Sequence, residues 1–206
     1  SIGTKCMPIM LYRQTMCKQL NFTDMTTTTQ EKTIWTIDPS HSEVQFKVRH
    51  LVISTVTGNF RKFEGAFETS QEDFGDAAIN FKAQIDSLDT NNGQRDSHLK
   101  SADFFDAENF PELTFKSKSF QKKGSEQYSL VGDLTIRGVS KEVILDVEYG
   151  GTMTDPYGNV KAGFEVKTVI NRKEFGLNWG AVTEAGGVVV GDEVKILANV
   201  QFVKSK

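Results

Sequence analysis

The sequence predicts an all-β protein, an antiparallel β-barrel of about eight strands. Three observations carry that expectation. From Thr33 onward nearly every segment alternates apolar and polar residues with period two, the pattern of strands with one dry face. Turns bearing glycine or proline separate these segments at short intervals, which joins neighbours antiparallel. The aromatic residues are weighted to phenylalanine, 15 against two tryptophans and four tyrosines, and aromatic side chains favour strands.

Taken in order, Val44, Phe46, Val48 and His50 share one face, opposite Gln45, Lys47 and Arg49. In Val56 to Phe67, Gly58 and Phe60 share a side with Phe63, Gly65 and Phe67 only if one residue bulges between Phe60 and Phe63. Such a bulge bends a strand around a barrel. Ile79, Phe81, Ala83 and Ile85 alternate with Asn80, Lys82, Gln84 and Asp86, and Leu113 and Phe115 open the next strand. Tyr128 to Ile136, Val143 to Tyr149, Val160 to Ile170 and Val194 to Phe202 alternate just as cleanly. Arg137-Gly138, Gly150-Gly151 and Asp155-Pro156-Tyr157-Gly158-Asn159 supply the reversals. Two stretches depart from β. Gln94 to Ser101 reads as two helical turns after Asn91-Asn92-Gly93, and Lys173 to Trp179 as an irregular connection.

A chain of 206 residues fits one barrel, and no internal repeat or second domain is visible. Ser1 to Lys32 lacks strand alternation and reads as a mobile tail, leaving 33–206 as the barrel. Pro8 to Leu11 is too short for a signal-peptide core, so the expected location is the cytoplasm. Net charge −3 and pI 5.7 give no basic face for nucleic acid. No apolar run reaches membrane-spanning length. Polar faces that mix lysine and glutamate argue against a lipid-facing barrel. The expected protein therefore has an apolar interior and no stable membrane insertion. Cys6 and Cys17 alone cannot form a zinc site, and His41, His50 and His98 lack metal-ligand spacing. No metal, cofactor or catalytic residue is expected.

Arg95 to Pro111 sets Arg95, Asp96, His98, Lys100 and Asp103 beside Phe104, Phe105 and Phe110. A charged, aromatic-lined connection on a regular scaffold is the place to expect a ligand entrance. Arg95, His98 and Lys100, with Arg172 as a second source, can offer donors to an anionic or carbonyl-bearing head group. Phe46, Val48, Phe60, Phe81, Phe104, Phe105, Phe115, Leu134, Phe164 and Trp179 are the expected contacts of an apolar ligand. Small residues such as Ala83, Gly132, Ala162 and Ala198 would leave it room, or simply accommodate the phenylalanines. Asp96 and His98 with Ser97 or Ser101 suggest a hydrolytic triad only superficially, because residues two apart on a helix diverge. Gly186-Gly187 lacks the strand-loop-helix setting of a phosphate-binding loop.

Several motifs in order resemble one family. Trp35-Thr-Ile-Asp-Pro-Ser-His41-Ser42, Arg49-His50-Leu51, Arg95-Asp96-x-His98-Leu99-Lys100-Ser101-x-Asp103-Phe104-Phe105, Phe110-Pro111, Gly132-Asp-Leu-Thr-Ile-Arg-Gly138-Val139, Arg172-x-x-Phe175-Gly176 and Gly191-Asp192-x-Val194 are similar to the YceI-like polyisoprenoid-binding family. The resemblance spans about Trp35 to Val203. It implies a lipocalin-like barrel holding a long isoprenoid chain, of prenyl pyrophosphate or quinone type, as carrier, store or sequestering protein. Many relatives are exported to the periplasm, and the family offers no catalytic residues to transfer. The expected partner is thus a polyisoprenoid lipid, with a homodimer as an open second partner. Two other functions fit the same residues. One is a lipid-modifying hydrolase or isomerase using His98 and Asp96, the other an interaction module docking at Phe104-Phe105 over a solidly packed barrel.

Overall fold

The computed structural model describes residues 31–51, 53–181 and 189–205. The segment read as a tail, apart from its last two residues, lies outside them, as do both cysteines and Gly186-Gly187. Among the described residues there are eleven strand segments: β1 (Thr33–Ile37), β2 (Glu43–His50), β3 (Ser54–Phe60), β4 (Phe63–Thr69), β5 (Ala78–Gln84), β6 (Leu88–Asp89), β7 (Glu112–Lys122), β8 (Gln127–Ile136), β9 (Val139–Thr154), β10 (Val160–Asn171) and β11 (Val190–Lys204). One helix, α1 (Gly93–Lys100), follows β6. All pairings are antiparallel.

Eleven segments make eight staves. The order β1-β4-β5-β7-β8-β9-β10-β11 closes on itself because β1 also pairs β11, Trp35 opposite Lys204. The other three segments continue staves already counted. β11 is long enough to pair β1 near one end and β2 along the rest, so β1 and β2 form one stave bent at Pro39–His41. Asp38 caps that bend, accepting from the Ser40 amide and from His41 Nδ1 at 2.8 Å. In the same way β3 continues β4, and β6 continues β5 through a turn at Ile85–Ser87. Where a bulge is expected between Phe60 and Phe63, the strand instead breaks at Arg61-Lys62. Their backbone turns to Ser87 and Gln84: the Arg61 amide donates to Ser87 and the Gln84 amide to the Lys62 carbonyl. The predicted in-facing set survives, with Phe60, Phe63 and Phe67 all buried.

The dry face points inward. Along β8 burial alternates residue by residue, with Tyr128, Leu130, Leu134 and Ile136 inside. Burying each large side chain of this kind contributes about 1.5–3 kcal/mol. At one end the wall is closed all round by strand pairing. At the other, β6 has no second strand partner among the described residues, and α1 with the loop to Pro111 connects β6 to β7. Asn92 starts α1 by accepting from the Arg95 amide at 3.0 Å. The helix buries no residue fully, so its loop contacts hold it in place.

Candidate functional site: an apolar cavity along the barrel

The interior is not filled. A cavity of about 230 Å³ runs from Phe67, Phe74 and Phe202 at the strand-closed end to Phe104, Phe105 and Leu177 beneath the α1 loop. Its wall is apolar apart from Gln45, Asn80, Thr168 and Arg172. A water needs only about 10–15 Å³ of such space, but it also needs two to four polar partners. This wall offers few, so the space favours an apolar guest.

Nine of the ten residues expected to touch an apolar ligand line this space: Phe46, Val48, Phe60, Phe81, Phe104, Phe105, Phe115, Leu134 and Phe164. Trp179 does not. Its ring packs outside the wall, 5.2 Å from Phe104 and 5.0 Å edge-on to His98, because the chain after Leu177 has already left the barrel. Of the small residues, Ala198 faces the cavity, whereas Gly132 makes way for packing. A side chain there would collide with the Phe115 ring and the Lys116 carbonyl. Gly58 likewise lies flat beneath the Phe46 ring.

Each of the four expected head-group donors bonds the chain itself, but only Arg172 spends every N–H there. Arg95 donates from Nε and Nη2 to the hydroxyl and carbonyl of Thr90, both at 2.7 Å. His98 Nε2 meets Asp103 at 3.0 Å, and Lys100 Nζ donates to the Asp86 carbonyl at 2.7 Å. Arg172 is the clearest correction. It borders the cavity, yet all five of its N–H groups are spent on the carbonyls of Leu177, Trp179, Val190 and Gly191 and on Asp192. Burial lowers its pKa, and Asp192 opposes that shift. Its role is to pin both flanks of the β10–β11 connection.

The catalytic pairing of Asp96 with His98 is not assembled. Asp96 accepts from the amide and hydroxyl of Thr90, at 3.0 and 2.5 Å, while His98 turns to Asp103. Docking at Phe104-Phe105 also fails on geometry, since Phe104 is buried and Phe105 faces the cavity. Sequence reading missed Arg137. Read there only as a turn residue, it donates to the Ala102 carbonyl at 2.8 Å and the Gly176 carbonyl at 3.3 Å. It thereby ties both coverings of this end together. Its backbone has a left-handed φ of 50°, and because its partners are main-chain carbonyls 35 and 39 residues away, no local sequence signal marked it.

Closed eight-stranded antiparallel barrels either fill their interior with side chains or keep room for one small ligand, and this one keeps an apolar lumen. The chain belongs to the YceI-like domain family, whose profile matches residues 35–202. It is 37% identical over 171 residues to a UPF0312 protein of Staphylococcus aureus, covering 82% of this chain and 97% of that protein. Among solved structures it is similar to the Campylobacter jejuni YCEI protein, at 30% identity and TM-score 0.66, over 78% of this chain and 91% of that one. A polyisoprenoid-binding domain from Saccharophagus degradans shares the fold at 14% identity and TM-score 0.62, over 83% and 98% of the two chains.

Proposed function

We propose that this protein binds a long-chain polyisoprenoid lipid inside the barrel, as a carrier, store or sequestering protein rather than an enzyme. The observation that carries the reading is the apolar cavity spanning the barrel from the Phe74 end to Phe104 and Phe105. Each methylene moved from water into such a space contributes about 0.8 kcal/mol, so several isoprene units supply ample gross affinity without polar contacts. The polyisoprenoid-binding neighbour of the same fold supports the choice of ligand class.

Arg172, which alone of the four borders the cavity, spends all its donors on its own chain, so affinity resides in the tail. Prenyl pyrophosphates and quinone-type lipids of equal tail length then bind comparably. Native mass spectrometry of freshly purified protein, with organic extraction of whatever is retained, tests the reading. Co-purified or added prenyl lipid is expected in the complex. Protein that is repeatedly empty and ignores added prenyl lipid refutes it.

A further inference from the structure

We infer that Phe74 is the depth stop of the cavity and sets the longest isoprenoid tail the barrel accepts, an inference that rests on the lipid-binding reading above. At the strand-closed end the turns 123–126 and 155–159 face solvent, and Tyr157 is 86% exposed. The β4–β5 connection behaves differently. It folds back over the opening and buries Phe74 to 4% exposure. There the ring lies 5.7 Å from Trp35 and 5.6 Å from each of Phe67, Tyr149 and Phe164. Those four come from β1, β4, β9 and β10, which lie on both sides of the ring of staves. One side chain therefore bridges the lumen from wall to wall.

The stop is held, not hinged. Phe74 has φ 61°, a left-handed backbone that a bulky residue keeps only where its surroundings impose it. The Asp76 carboxylate supplies much of that constraint by accepting from the Ser70 amide at 2.9 Å, the Gln71 amide at 3.2 Å and the Thr69 hydroxyl. From the far wall the Tyr128 hydroxyl donates to the Asp73 carbonyl at 3.1 Å. The Ala77 amide closes the turn on the Phe74 carbonyl at 2.9 Å. A tail entering beneath the α1 loop ends against this ring, so tail length becomes a selected property.

The test offers the protein an equimolar series of all-trans prenyl pyrophosphates, farnesyl to decaprenyl, and reads retained species by native mass spectrometry. Wild-type protein shows a sharp upper cut-off. Phe74→Ala moves it longer by one or more isoprene units while shorter chains still bind. Loss of affinity uniform across all lengths, with the cut-off unmoved, is what an ordinary core phenylalanine gives and overturns the inference. If the alanine variant does not fold, Phe74→Leu replaces it. A smaller shift in the same direction supports the stop, and no shift overturns it. Wild-type protein that takes up no prenyl chain of any length refutes the lipid-binding reading itself, a result distinct from an unmoved cut-off.

Discussion

Arg172 is 3% exposed and spends every donor on carbonyl oxygens and Asp192. Removing the guanidinium leaves buried acceptors unpaired, each costing about 1–3 kcal/mol before any local rearrangement. Arg172→Met is therefore expected to destabilise by roughly 3 kcal/mol in urea melts. Arg172→Lys should recover little, since a compact ammonium cannot reach a fork of acceptors. Equal stability of the lysine variant and wild type would show that the clamp is dispensable. The sequence marks Arg172 as important but not why: a cation beside a glycine-bearing turn reads equally well as a head-group donor. Its partners are main-chain carbonyls that only the folded path brings together. Phe46, Phe60 and Phe164 were readable, because strand alternation fixes which residues share a face and the mixed lysine and glutamate of the other face mark it as the outer one.

Among the elements, the β4–β5 loop makes the sharpest contrast with its sequence. Nothing in Ser70 to Ala77 alternates, so Phe74 carries no periodic signal and its inward turn comes from side-chain-to-backbone bonds at Asp76. Burial would raise the Asp76 pKa, but the hydrogen bonds from Thr69, Ser70 and Gln71 outweigh it and hold the group at about 2. A carboxylate held below its ordinary 3.8 contributes loop stability above that value and loses it as pH falls through about 2. Asp76→Asn should abolish that acid dependence and speed exchange of the Ser70 and Gln71 amides at neutral pH. Exchange measured by NMR in wild type and variant from neutral pH to pH 2 checks this; unchanged protection in the asparagine variant would remove Asp76 from the account. The bent staves show the same limit of pattern reading. Phe60 and Phe63 were placed on one side correctly, but the break at Arg61-Lys62 depends on bonds to Ser87 and Gln84 more than twenty residues away.

At the scale of the whole barrel, the question is whether the lumen is open space or ordinary packing, and Ala198 decides it. The residue lies on β11 between Val44 of β2 and Val166 of β10, and faces the cavity. Ala198→Phe adds a ring to that space. In a close-packed core such a change costs about 1–3 kcal/mol. Filling a real void instead commonly adds about 0.5–2 kcal/mol. The expected outcome is unchanged or raised melting temperature together with loss of prenyl-lipid retention, read on one preparation by calorimetry and native mass spectrometry. Lipid binding by wild-type protein should also show a negative heat-capacity change and little dependence on salt, because apolar burial drives it. A destabilised Ala198→Phe that still carries its lipid would mean that the guest lies elsewhere than in the lumen.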